Sequence, residues 1–163
     1  MITLTEAAIR GSLINASLRE RKALTLPDLA PLRWEQLDFL GWRDAKVPGI
    51  GYAIVDLEES GDPVGIMLRQ ADGRPRSRPQ CTWCEDVTLP NDVVVFSARR
   101  TGAAGRNGNT IATLACAGFE CSANVRKLPP SAYIGFDVEA ARVKRIEALG
   151  QNVRNFVRNV RDS

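Results

Sequence analysis

Apolar residues recur along this chain with two different periods, and the switch between them divides it into elements. Near the start, Ile9, Leu13 and Ala16 fall at spacings of four and three behind Thr5 and Glu6. That pattern predicts an amphipathic helix opening at Thr5 and ending near Arg21. Pro27 and Pro31 punctuate the chain, and residues 32–40 read as a second short helical segment closed by Gly41. Trp34, Leu37, Leu40 and Trp42 then form either a seam against a sheet or an aromatic face for a partner, and the seam is the better reading.

After a break at Pro48-Gly-Ile-Gly51 the period falls to that of strands. Residues 52–57 and 64–69 are rich in β-branched and apolar side chains and flank a polar loop, so they read as a β-hairpin with Pro63 at a strand entrance. A second pair, residues 92–98 and 110–115, is joined by a basic, glycine-rich connection over 99–109 that reads as mobile. The helical period returns at the end. Val143, Ile146, Leu149, Val153, Phe156 and Val160 place one apolar stripe on a helix over 138–161, with Gly150 as a candidate bend and the arginines on a solvated face. The expectation is an α+β protein: a helical segment over 1–45, then a small antiparallel sheet and a long C-terminal helix over 46–163.

The cysteines change this picture most. All four occur as two close pairs, Cys81-Thr-Trp-Cys84 and Cys116-Ala-Gly-Phe-Glu-Cys121. Two such pairs can chelate one tetrahedral ion, and four thiolates at about 2.3 Å make the closed, water-free shell of structural zinc. A dithiol redox pair or buried free thiols would leave the second pair unexplained. The first pair lies in a turn-rich knuckle, and the second leaves a strand and enters a short helix. A knuckle, a hairpin and a helix supplying the last ligands describe a treble clef.

The chain has no histidine. That removes histidine-containing zinc sets, the Ser-His-Asp triad and the Cys-His nucleophile together. Asp56, Glu58 and Glu59 form the tightest acidic cluster, but they belong to a hairpin where solvated carboxylates are expected, so a non-enzymatic protein with no small-molecule substrate is expected. The start of the chain has neither a basic nor an apolar leader region, and no apolar run approaches the roughly 20 residues a bilayer requires, which predicts a cytoplasmic protein without a membrane partner.

Net charge is +3, unevenly spread: residues 1–68 carry 7 basic and 10 acidic side chains, whereas 69–127 carry 9 and 5. Part of this excess compensates a zinc-tetrathiolate centre of about −2. The rest suits contact with phosphates or carboxylates, since all but four of the 22 basic residues are arginine. Gly102, Gly105 and Gly108 lack the Gly-Lys-Ser/Thr element of a phosphate loop. Arg99, Arg100 and Arg106 on that connection, with Trp83 exposed on the knuckle, are the candidate partner contacts, an aromatic among arginines being a binding hot-spot composition. Trp83 has an equal claim as a shield for the metal.

The runs Cys81-Thr-Trp-Cys84, Val93-Val-Val-Phe-Ser-Ala-Arg-Arg100, Thr110-Ile-Ala-Thr-Leu-Ala-Cys116 and Cys121-Ser-Ala-Asn-Val-Arg126 resemble the C-terminal treble-clef zinc finger of the FusB-type elongation-factor-G-binding proteins. The resemblance covers most of residues 50–163. It implies zinc on Cys81, Cys84, Cys116 and Cys121, and a protein that binds elongation factor G and helps release it from the ribosome, which in longer members protects against fusidic acid. Members of the resistance type have a larger N-terminal helical bundle than the roughly 45 residues that precede the first expected strand here. Direct contact of the basic loop and C-terminal helix with RNA or the ribosome is the alternative.

Overall fold

A computed structural model describes residues 1–57, 61–73, 79–86 and 91–162. The acidic loop residues Glu58 and Glu59 and most of the arginine-rich approach to Cys81 lie outside the described residues. Five strands form one antiparallel sheet in sequence order: β1 (Leu40–Arg43), β2 (Ile50–Asp56), β3 (Pro63–Gln70), β4 (Val93–Arg99) and β5 (Thr110–Cys116). Among the described residues, five α-helices accompany them: α1 (Glu6–Ser12), α2 (Leu18–Ala23), α3 (Gly102–Arg106), α4 (Cys121–Arg126) and α5 (Val138–Arg161).

The helix expected over 5–21 is two helices. Thr5 caps α1, its side chain accepting the Ala8 N–H at 3.2 Å, and Ser17 opens α2 through a capping box with Glu20. Between them the chain joins the sheet: Leu13 bridges Gly65 in parallel, and the Ile14 N–H donates to the Gly65 carbonyl at 2.9 Å. Leu13 fits the helical period, yet the free edge of β3 takes it. The Asn15 side chain completes this seam, accepting from Met67 N–H at 2.7 Å and donating to the carbonyls of Met67 and Arg99 at 3.0 Å each. β3 therefore pairs with β4 only at Arg69 and Gln70, opposite Ser97 and Phe96.

The second expected helix is also corrected. Residues 34–36 make a single 3-10 turn, and Gly41 does not stop a helix but lies inside β1. Leu40 and Trp42 alternate with less buried Gly41 and Arg43, which is the period of a strand. Trp42 stacks on Tyr52 at 4.8 Å and donates its Nε1–H to Thr25 at 2.9 Å. The boundary read at 45/46 falls in the connection between β1 and β2.

Both faces of the sheet are covered. Tyr52, Ile54 and Met67 pack with Leu40 and Trp42 against Leu4, Ile9, Leu13 and Leu24 of the N-terminal segment. The alternate residues Ala53, Val55, Ile66 and Leu68 pack with Phe96, the four cysteines and α5. α5 keeps the bounds its periodicity predicts, with Asp137 capping Ala140 N–H at 2.9 Å. Its buried stripe is Leu149, Gly150, Val153, Val157 and Val160, and Val143 is left exposed.

The connection expected to be mobile is folded. Residues 102–106 form α3, and the segment before it binds the last carbonyls of α5: Thr101 N–H to Val160 at 3.1 Å, Thr101 Oγ1–H to Arg161 at 2.6 Å and an Arg100 N–H to Asn159 at 2.8 Å. These bonds satisfy carbonyls that a helix end leaves without partners. Gly105 permits the packing, since a Cβ there would lie 1.7 Å from the Arg100 carbonyl oxygen.

Candidate metal centre

The four cysteines arrive from three elements. Cys81 and Cys84 sit on the turn preceding β4, Cys116 ends β5, and Cys121 opens α4. Each pair is shaped by a turn that ends in a left-handed residue. In the first, Glu85 N–H donates to the Cys81 carbonyl at 2.9 Å and Glu85 has φ 55°; in the second, Phe119 N–H donates to the Cys116 carbonyl at 3.0 Å and Phe119 has φ 60°. Neither is glycine, so each turn carries strain of order 1 kcal/mol that the surrounding packing must hold. The first knuckle is bound to the β4–β5 hairpin by Thr82, whose N–H donates to Leu114 at 2.9 Å and whose hydroxyl meets that of Thr113 at 2.8 Å.

All four Sγ atoms lie within 4.8 Å of one another and all four residues are buried. Cys81 and Cys121 are 3.7 Å apart at sulfur, as are Cys84 and Cys116. A tetrahedron with metal–sulfur bonds of about 2.3 Å has edges of about 3.8 Å, whereas a disulfide needs about 2.05 Å. The donor set therefore fits one zinc ion and not two disulfides. Mutual hydrogen bonding pulls their acidities apart: the bond from Cys116 draws the Cys81 thiol far down and the Cys84 thiol down, and the bond to Cys116 drives Cys121 far up. A divalent ion resolves this competition by binding all four as thiolates. The Asn124 side chain donates to the Cys116 sulfur at 3.6 Å, adding a neutral donor to a centre with excess negative charge.

Trp83 is not exposed. It is 2% accessible, the largest of the fully buried side chains, and its ring lies 5.3 Å from Phe39, 5.9 Å from Phe156 and 6.0 Å from Phe119. Burial takes it out of the candidate partner contacts, since α5 covers the knuckle and sets Phe156 against the indole. Asn152 of α5 fixes that cover by donating to the Trp83 carbonyl at 3.1 Å. Arg145 of α5 also forms an ion pair with Asp86, and Arg126 of α4 pairs with Asp38 at 2.5 Å.

Phe119 is the residue the spacing does not reveal. It lies between the last two ligands, is 6% exposed, and stacks on Phe96 at 5.0 Å. Its side chain rests where Gly41 and Gly51 have none; a Cβ at Gly51 would come within 2.7 Å of its ring, and one at Gly41 within 2.7 Å of its Cβ and 3.0 Å of its Cγ. The pair of glycines that read as breaks thus forms the seat of the second knuckle on the sheet. A signal was present, since glycines inside apolar runs mark close approach.

Arg99, Arg100 and Arg106 come together, though not with Trp83. They line one side of an open cleft of about 250 Å3 whose other side is the chain from Ile14 to Ser17. No helix among the described residues is long and apolar enough to cross a membrane.

No curated protein and no solved structure matches this chain. A family model does, the FBP C-terminal treble-clef zinc-finger, over residues 8–160, a span that takes in α2, all five strands and the four ligands. The thiolate tetrahedron, its two knuckles and hairpin, and this match together place the protein in the FBP C-terminal treble-clef zinc-finger family, the FusB-type group that its sequence resembles.

Proposed function

We propose that this protein is a cytoplasmic binding module, stapled by zinc, that takes elongation factor G as its partner and promotes release of the factor from the ribosome without catalysing a reaction. The four buried sulfurs carry the non-catalytic part of this reading. They fill a tetrahedral shell and leave no ligand position for a water, so the ion contributes rigidity rather than a nucleophile. Family membership and the resemblance of the cysteine and hairpin runs support the choice of partner.

A protein partner needs apolar anchors with a polar rim. Of the seven large hydrophobic residues exposed among the described residues, four, Leu128, Tyr133, Ile134 and Val143, lie between the end of α4 and the first turns of α5. Lys127 and Lys144 border them in sequence and are exposed as well. This arrangement suits an acidic partner with an apolar patch.

Size-exclusion co-elution of the zinc-loaded protein with nuclease-treated elongation factor G at moderate salt tests the proposal. The expected result is an equimolar complex that a Tyr133→Ser/Ile134→Ser variant, still folded and still holding zinc, fails to form. A wild-type protein that elutes apart from the factor overturns the choice of partner. A complex that the variant forms unchanged overturns the surface.

A further inference from the structure

We infer that the arginine-lined cleft between the α1–α2 turn and α3 binds the phosphate backbone of structured RNA. The inference stands on the geometry of the cleft and does not rest on the elongation factor reading.

One wall is the turn around Asn15 to Ser17, and the other carries Arg99, Arg100 and Arg106, with no acidic side chain in the lining. Arg99 and Arg106 repel one another on this concave surface beside Arg100, and an anionic ligand lowers that cost. Neither Arg99 nor Arg106 forms an ion pair among the described residues. The Arg100 guanidinium is oriented by its bond to the Asn159 carbonyl. Arg21 adds a fourth cation behind the first wall, its Nε–H donating to the Ala16 carbonyl at 3.1 Å. The nearby Glu20 carboxylate also faces Arg99, but it accepts from Ser17 at 2.8 Å and pairs with Arg69 at 3.1 Å.

The walls are fixed with respect to each other. The Asn15 amide donates to the Arg99 carbonyl across the cleft floor, so the arginine-bearing strand end is set by the opposite wall. The neutral polar groups are committed internally: Ser17 Oγ–H goes to Glu20 at 2.8 Å, Thr101 Oγ1–H to the Arg161 carbonyl at 2.6 Å, and the Asn15 amide to two carbonyls. Recognition falls to guanidinium groups alone. Their fork matches phosphate and carboxylate oxygens equally. The lining decides between the two, because it offers no aromatic side chain. An acidic protein surface binds tightly through aromatic and apolar anchors, and single-stranded bases need aromatic platforms. What remains is a repeating phosphate presented by a duplex, read by its backbone without sequence preference.

Fluorescence anisotropy with a labelled RNA hairpin of about 20 base pairs tests this, using the zinc-loaded full chain at several salt concentrations. Wild type should bind with log K falling against log salt at a slope of about −2 to −3, as three phosphate contacts require. An Arg99→Gln/Arg106→Gln variant should lose about tenfold or more in affinity and about 2 in slope, with zinc content and circular dichroism unchanged. An Arg33→Gln/Lys46→Gln variant, which removes the same charge from exposed positions elsewhere, should bind within about twofold of wild type. Equal losses in the two variants would mean that net charge alone drives binding and would overturn the site. So would no detectable binding at low salt, or a labelled polyglutamate peptide that binds the cleft as tightly as the hairpin. Co-elution of the arginine variant with elongation factor G separates the two readings. Loss of the factor complex with RNA affinity intact would assign the arginines to the protein partner and overturn the RNA assignment.

Discussion

Gly51→Ala adds one methyl group to the seat of Phe119, and its effect can be worked from the contacts. The new Cβ would lie 2.7 Å from Phe119 Cζ, 2.8 Å from Cε2 and 3.4 Å from a Phe96 ring carbon. Neither ring can retreat. Phe96 is fully buried behind Phe119, and Trp83 stands 6.0 Å away on the metal side. Overpacking of this kind costs about 1–3 kcal/mol, from which the gain of alanine over glycine in a strand, about 0.5–1 kcal/mol, must be subtracted. The expected net loss is about 1–2 kcal/mol. Because Phe119 lies between Cys116 and Cys121, displacing the ring also displaces ligands, so zinc affinity should fall with stability. In a Phe119→Ala background, itself about 3–5 kcal/mol less stable, the clash has no partner and the same methyl should be neutral or mildly stabilising. The coupling energy of the double-mutant cycle should therefore be about 1–3 kcal/mol, the size of the overpacking cost itself. Urea unfolding of zinc-loaded protein followed by tryptophan fluorescence measures the cycle, and competition with a chromophoric chelator measures the zinc. A Gly51→Ala protein at least as stable as wild type, or one that costs the same in both backgrounds, would refute the reasoning.

Four further outcomes are expected. Asp44 is 4% exposed; burial works to raise its pKa, but N–H bonds from Thr25 at 2.9 Å, Lys46 at 2.8 Å and Val47 at 3.1 Å outweigh it and hold the carboxyl below the usual range. Its stabilisation is present above the unfolded value of about 3.9 and is lost as pH falls through the lowered folded value, so Asp44→Asn should cost about 2 kcal/mol at neutral pH and the gap to wild type should close below about pH 4. Burial and then the Asp44 charge push Tyr52 up to about 12, and ultraviolet titration of the Asp44→Asn protein should find it lower. Trp83 Nε1 has no hydrogen-bond partner among the described residues, so Trp83→Phe gives up packing alone at about 1–2 kcal/mol while Trp83→Ala costs about 3–5 kcal/mol, and a folded Trp83→Phe protein should bind its partner as wild type does. Chelation should release one zinc per chain and lower the melting temperature by more than any of these substitutions, and Cys84→Ser should do the same; an unchanged melting curve after zinc removal would refute a structural ion.

The features legible in the sequence are those whose cause is local. Four thiolates on two short turns announce a metal because the ligands of each pair must be close in sequence to be close in space. The bounds of α5 and the two hairpins follow from unbroken periodicity over long or paired runs. Misreadings arise where a distant residue decides. Leu13 satisfies a helical period but is claimed by Gly65, 52 positions later. Gly41 and Gly51 signal breaks in isolation and instead accept the ring of Phe119. The glycines of 99–109 suggest mobility, whereas Gly105 is there so that α3 can close on the Arg100 carbonyl. Trp83 stands at a position a lone zinc knuckle would expose, and α5 covers it.

The zinc centre and the N-terminal segment act on the same strands from opposite sides. β2 sends Tyr52 and Ile54 to one core and Ala53 and Val55 to the other, and β3 divides in the same way with Met67 against Ile66 and Leu68. A strand buried on both faces keeps its twist and register only while both covers are in place. The aromatic chain from Phe96 through Phe119 and Trp83 to Phe39 carries the constraint from the sheet to the metal and on to the entrance of β1. Asn15 carries it in the other direction, joining the N-terminal turn to Met67 in β3 and Arg99 at the end of β4. The ion therefore does more than close a finger. By holding Cys116 and Cys121 it fixes Phe119 on β1 and β2, and with them the strands on which the N-terminal segment, the arginine cleft and the cover of α5 are all assembled.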